Sequence, residues 1–139
     1  MQVQPYLFFD GRSQEALAFY QNAVGAEVSV RIRYRDHPEP HDPAIVRPGM
    51  EDKVMHAAFR IGDTMLLASD GRCMGQPNFQ GFALTILAND DAEADRLFCA
   101  LSDGGQVTMA LQKTFFSSRF GMLTDRFGIP WIVNCEQAA

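Results

Sequence analysis

The sequence predicts an α+β fold, built from two tandem β-α-β-β-β modules of one ancestral pattern whose strands form a cupped mixed sheet. Three observations carry that expectation. Strand and helix periodicities follow one another in the same order twice. Turn chemistry falls at matching places in both halves. One half holds a Pro-rich insertion that the other lacks.

The first module spans about residues 3–70. Val3 to Phe9 (VQPYLFF) reads as a buried strand stopped by Asp10-Gly11. Ser13 then stands where an N-cap belongs, and Ala16, Leu17, Phe19, Tyr20 and Val24 recur at helical spacing up to Gly25, a C-terminal stop. Ala26 to Tyr34 alternates Val28, Val30, Ile32 and Tyr34 with Ser29, Arg31 and Arg33, the period of a half-exposed strand. Val54 to Ile61 and Thr64 to Ser69 are two further apolar strands, joined through Gly62-Asp63.

The second module, about residues 80–136, repeats this order. A shift of 78 residues lays SQEALAFY (13–20) on DAEADRLF (91–98), and a shift of 79 lays GAEVSV (25–30) on GGQVTM (104–109). A shift of 66 lays IGDTMLLASD (61–70) on FGIPWIVNCE (127–136). The offset falls by 79 − 66 = 13, so the first half has 13 extra residues between its second and third strands. They lie within residues 35–52, a segment with four prolines and no periodicity, expected to be a loop. Each module must hide one apolar helix face on one side of its sheet, which leaves the other side free to curve around a guest.

Composition narrows the function. The chain of 139 residues carries 12 Lys plus Arg against 17 Asp plus Glu, a net charge of −5, without a basic cluster. Nucleic-acid affinity rests on cationic contacts with phosphate, so no nucleic-acid partner is expected. No apolar run reaches the length of a membrane span, and no leader-like pattern opens the chain, so a cytoplasmic protein without a membrane partner is expected. Cys73, Cys99 and Cys135 are widely spaced and lack a CxxC, which indicates idle or buried thiols.

The segments PYLFFDG and ALAFY, HAAFRIGDTMLLASD, LTILANDDAEADRLF and FGMLTDRFGIPWIVN, taken in this order, resemble the vicinal oxygen chelate superfamily of glyoxalase and bleomycin-resistance folds. Within it the resemblance is to the PhnB-like branch, also described as 3-demethylubiquinone methyltransferase-like. The resemblance implies paired β-α-β-β-β modules and a homodimer. In metal-dependent relatives it implies four ligands, mostly His and Glu, from the first, fourth, fifth and eighth strands. Carried onto this chain, those positions fall on Pro5 or Gln4, on Leu66, on Phe82 or Ala83, and on Ile132. None is an imidazole or a carboxylate, so no metal and no other cofactor is expected. No glycine-rich GxG turn follows the first strand, so S-adenosylmethionine is not expected either.

The residues expected to line the cleft are Tyr6, Phe8, His56, Leu66, Phe82, Trp131 and Ile132, a largely apolar and aromatic set suited to a small apolar or aromatic molecule. His56, in the otherwise apolar run MHAAFRIG, is the candidate acid or base, with Met122 as its repeat partner under the 66-residue shift. The sequence therefore supports a non-metal, small-molecule-binding homodimer. The alternative is an enzyme acting on a small organic oxygen compound, using His56 or metal-dependent lyase or dioxygenase chemistry. The segment DHPEPHD (36–42) collects metal-type donors, but Pro38 and Pro40 forbid the helix that would align His37 with His41, so a solvated loop is expected. Ser117, Ser118, Arg119 and Lys113 flank a turn where an anion could be met.

Overall fold

In the computed structural model, which describes residues 1–71 and 77–137, the chain divides into two compact units, Met1–Pro77 and Asn78–Ala139. Cys73 lies outside the described residues. Unit 1 contains β1 (Tyr6–Phe8), α1 (Ser13–Val24), β2 (Glu27–Arg33), β3 (Val54–Ile61) and β4 (Thr64–Ser69). Unit 2 contains β5 (Leu84–Leu87), α2 (Asp91–Ser102), β6 (Gln106–Gln112), β7 (Ser117–Thr124) and β8 (Pro130–Glu136). Each has one four-stranded mixed sheet, ordered β1-β4-β3-β2 in one and β5-β8-β7-β6 in the other. In both sheets the outer pair β1·β4 or β5·β8 is parallel and the remaining pairs are antiparallel.

The helices close one face of each sheet. In unit 1, Ala16, Leu17 and Tyr20 are fully buried, and the Tyr20 ring meets Phe9 at 6.2 Å and Phe59 at 6.1 Å between centroids. In unit 2, Ala94, Leu97, Phe98 and Leu101 cover Leu123, Trp131 and Val133. Each fully buried Leu or Phe contributes roughly 1.5–3 kcal/mol over its exposed state. Gly25 ends α1 in the left-handed region at φ 69°, its N–H bonded to the Tyr20 carbonyl, as the sequence predicts.

The start of α1 differs from expectation. Ser13 is the first helical residue and its buried Oγ has no partner. The cap is supplied from the end of β4 by Asp70, whose carboxylate accepts from Gly11 N (2.9 Å), Ser13 N (2.8 Å) and Val54 N (2.8 Å). This one buried side chain ties the β1–α1 turn, the helix terminus and the start of β3 together. In unit 2 the helix start follows local rules, with Asp90 accepting from Glu93 N at 2.7 Å. The buried carboxylate there is Asp125, which accepts from Phe127 N, Ile129 N and Trp131 Nε1 and so shapes the β7–β8 loop.

Backbone register refines the repeat. Phe9 N donates to Ser69 O, and Ala88 N donates to Asn134 O, so residue 9 matches 88 (88 − 9 = 79) and residue 69 matches 134 (134 − 69 = 65). Ala57 pairs with Ala68 and Gly121 with Val133, which sets the β3-to-β7 offset at 121 − 57 = 64. The 66-residue offset read from sequence is therefore one residue too long for the fourth strand. The reason is the hairpin. Unit 1 turns through Gly62-Asp63, whereas unit 2 turns through three residues, Arg126-Phe127-Gly128, closed by Asp125 N on Ile129 O. The first unit accordingly carries 79 − 64 = 15 extra residues before its third strand, within which the short 3₁₀ turn Tyr34–Asp36 opens the Pro-rich loop.

Candidate functional site

A one-residue slip moves a side chain to the opposite face of a sheet, so register decides which residues can meet a guest. In unit 1, Leu7 and Phe9 are buried toward the helix and Tyr6 and Phe8 alternate away from it. Cross-strand partners share a face, so Leu67, paired with both Tyr6 and Ala58, lies on the open side, followed by Val30 of β2. The neighbouring row runs Phe8, Ser69, His56 and Ile32. Leu66 pairs with Phe59, which stacks on Tyr20, and is only 4% exposed. Leu66 thus belongs to the helix side, and Leu67 takes the place expected for it.

The same correction applies to Trp131. It pairs with Leu84 and Leu123, is 2% exposed, and donates its indole N–H to Asp125 at 2.8 Å. It is a core anchor of unit 2, matching Leu66 rather than lining an open face. Ile132 does stand on the open side of its sheet, half-buried beside Thr85 and Met122. Phe82 is exposed just ahead of β5. Register gives His56 the repeat partner Phe120, not Met122.

The sequence-expected residues that the fold brings together are Tyr6, Phe8 and His56. The Tyr6 and Phe8 rings stack at 4.9 Å with 22° between planes. The Tyr6 hydroxyl lies 3.0 Å from His56 Nδ1, and the two rings are 5.8 Å apart. With Nδ1 unprotonated the hydroxyl donates to it, leaving Nε2–H as the ring's remaining donor. No carboxylate among the described residues bonds the imidazole, so an acid–base role lacks the orienting partner that such a role uses. Around this polar pair lie the apolar side chains Phe8, Leu67, Ala58, Val30 and Ile32, with Ser69 between Phe8 and His56 and the Arg60–Glu27 ion pair in the row beyond Ala58.

The Pro-rich loop adds a cavity of about 330 Å³, lined by Tyr34, Pro43, Ala44, Ile45, Arg47, Met50 and Gly71. Val46 and Met50 are buried and anchor the loop, while Tyr34 donates its hydroxyl to Gly71 O at 2.6 Å. The Phe8 ring approaches to 3.4 Å of where a Cβ on Gly71 would stand, so the aromatic face and the cavity adjoin at Gly71. That volume is at the lower end of those that hold small organic molecules. His37 Nδ1 accepts from Glu39 N, a local turn contact rather than a ligand arrangement with His41.

Around the other candidate turn, the cation is already engaged. Arg119 meets Asp95 at 3.1 Å and Asp91 at 3.4 Å, and Ser118 Oγ donates to Asp91 at 2.5 Å. The Ser118 hydrogen bond holds the Asp91 carboxyl below its ordinary value, opposed in part by burial and assisted to a lesser degree by Arg119. These contacts join α2 to β7 and leave no anion pocket built around Arg119.

Residues 1–134 match the family described as 3-demethylubiquinone-9 3-methyltransferase. The chain belongs to that family. It is 35% identical to Protein YjdN of Escherichia coli over 139 residues, covering 96% of this chain and 95% of that protein. Protein PA1353 of Pseudomonas aeruginosa is 40% identical in its crystal structure, with a TM-score of 0.85 and 99% of each chain covered. The PhnB protein of Bacillus cereus is 26% identical, with a TM-score of 0.81 and 97% and 99% of the two chains covered. The fosfomycin resistance protein FosX of Listeria monocytogenes, at 10% identity and a TM-score of 0.64, shares the fold alone. Together these set the chain among PhnB-like proteins and give it the glyoxalase and bleomycin-resistance fold.

Neither cofactor suggested by this family and fold fits the residues present. The open-side residues of the first and fourth strands are Tyr6, Phe8, Met65, Leu67 and Ser69, and those of the fifth and eighth are Thr85, Leu87, Pro130, Ile132, Asn134 and Glu136. Glu136, exposed at the very end of β8, is the one carboxylate among them, no imidazole or thiolate stands beside it, and the Asn134 side-chain oxygen accepts from Ser117. Among the described residues no three His, Cys, Asp or Glu gather as a metal would require. A methyl donor carrying adenosine is held where a doubly wound parallel sheet meets a glycine-rich helix start. Both sheets here are mostly antiparallel, and neither matches that cradle.

Proposed function

We propose that this PhnB-like protein is a metal-independent small-molecule-binding homodimer, whose guest is apolar or aromatic and rests on the open face of unit 1. The observation that carries the reading is the Tyr6–Phe8 stack beside the Tyr6 hydroxyl–His56 Nδ1 contact, set in a largely apolar surface. A flat ring stacks on such a platform, and one acceptor atom on the guest takes a hydrogen bond from His56 Nε2–H. The adjoining loop cavity gives a substituent room to enter, with Met50 and Ile45 as apolar walls. The exposed Cys99 thiol supports a cytoplasmic, reducing location.

A thermal-shift screen of aromatic heterocycles and apolar metabolites tests this reading. A guest present at about 100 times its dissociation constant stabilises the fold by roughly 2.7 kcal/mol. Tyr6→Ala and His56→Ala are expected to weaken that guest, with Tyr6→Phe costing about fivefold through the lost hydroxyl. The reading is wrong if no compound shifts the wild type, or if both alanine variants bind as the wild type does.

A further inference from the structure

The two sheets present different outer edges. β2, the terminal strand of unit 1, carries Glu27, Arg31 and Arg33 in EVSVRIR. Charged side chains on an edge discourage pairing with another strand. β6, its counterpart in unit 2, reads QVTMALQ, has no charge and no proline, and is exposed along nearly its whole length. Val107 and Met109 are among the large apolar side chains it leaves in solvent.

The sequence of β6 is also close to a palindrome in polarity. Antiparallel pairing with a second copy centred on Met109 sets Gln106 opposite Gln112, Val107 opposite Leu111, Thr108 opposite Ala110, and Met109 opposite itself. Register shifts between Val107 and Met109 and between Met109 and Gln112 flank Met109 on both sides, and the faces beyond them agree with that register. Val107 pairs with Leu123 on the helix side, and Leu111 lies against Gly121 and Phe98 on the same side. Met109 pairs with Met122, whose other partner Ile132 stands on the open side. A twofold axis normal to the sheet through Met109 keeps each pair on one face, so like meets like on both sides.

We infer that the β6 edge is a self-association surface, where two copies of this chain pair antiparallel about Met109 into a continuous sheet. The same axis on β2 sets Arg31 opposite Ser29 and brings the Arg33 of each copy against Glu27, so charge must be matched and desolvated there; on β6 nothing charged enters the joint. The inference rests on the homodimer part of the proposed function and is independent of the guest.

Sedimentation velocity on the whole chain tests it with Met109→Lys, Met109→Glu and their equimolar mixture, beside Val30→Lys at the matching place on β2. Each Met109 variant alone is expected to dimerise at least about tenfold more weakly, since like charges then face each other, and the mixture is expected to regain the dimer. Val30→Lys is expected to dimerise as the wild type does. A wild type that stays monomeric at high micromolar concentration overturns both the homodimer reading and this edge. A dimer unaffected by either Met109 variant, or a pair of variants whose mixture does not recover, overturns the β6 edge alone and leaves the homodimer standing.

Discussion

The two units share strand order, helix placement and even a bulge at the same point, between Val28 and Val30 in β2 and between Val107 and Met109 in β6. Their open faces do not match. Where unit 1 sets Tyr6, Phe8, Ser69 and His56, unit 2 sets Thr85, Leu87, Asn134 and Phe120. Duplication preserved what the helix-side core requires and let the exposed side diverge. Apolar contact and backbone pairing constrain the first, whereas a guest or partner constrains the second.

The largest effects are expected where each unit uses its own buried carboxylate. Asp70→Ala strips the acceptor from three backbone N–H groups of unit 1, and Asp125→Ala strips it from two backbone groups and an indole of unit 2. Each is expected to cost roughly 3 kcal/mol or more in urea unfolding, because buried donors are left unpaired. A loss below about 1 kcal/mol at either position would show that water replaces the carboxylate.

Next comes the glycine of the second unit that matches an alanine of the first. A Cβ on Gly105 would stand 2.2 Å from Thr124 O, a backbone atom that cannot turn away, whereas Ala26 is accommodated in unit 1. Gly105→Ala is expected to destabilise by about 2–3 kcal/mol and Ala26→Gly by no more than about 1 kcal/mol, both read from chemical denaturation. Equal effects would mean that the longer β7–β8 loop does not alter this crossing.

A smaller effect is expected from giving unit 1 the residue that unit 2 carries. His56→Phe keeps the open face apolar, so stability is expected to stay within about 1 kcal/mol while affinity for an aromatic guest falls about tenfold. Isothermal titration with the best compound from the screen reads this directly. Undiminished binding would remove His56 from the site and leave the aromatic stack alone.

The smallest expected effect concerns pH. Because the Asp91 carboxyl is held below its ordinary value in the folded chain, its contribution is complete above the usual carboxylate range and fades as pH falls through the lowered folded value. Removing it with Asp91→Asn is expected to flatten the acid limb of the stability profile slightly, the group being solvent-screened. An unchanged acid limb would assign the α2–β7 junction to packing.

The repeat, the order of its elements and most of their limits were legible because periodicity and turn residues are local. β3 and β4 have the bounds that alternation and Gly62-Asp63 predict. The sheet face of β4 was not legible. Met65, Leu66, Leu67 and Ala68 form a continuous apolar run, so hydrophobicity alone does not tell its two sides apart. The signal available was loop length: a three-residue turn in one half against two in the other shifts the alignment by one. Asp70 and Asp125 were missed because a carboxylate beside a turn looks solvated until the donors around it are placed.

By itself the sequence determined that this is a duplicated β-α-β-β-β chain, because composition and spacing are properties of neighbouring residues. Only the tertiary structure decided that Tyr6 meets His56 fifty residues away, that Leu66 and Trp131 are core, and that Leu67 is not. Those outcomes depend on strand register, which is fixed by hydrogen bonds between segments distant in the chain and by the length of the turns that join them.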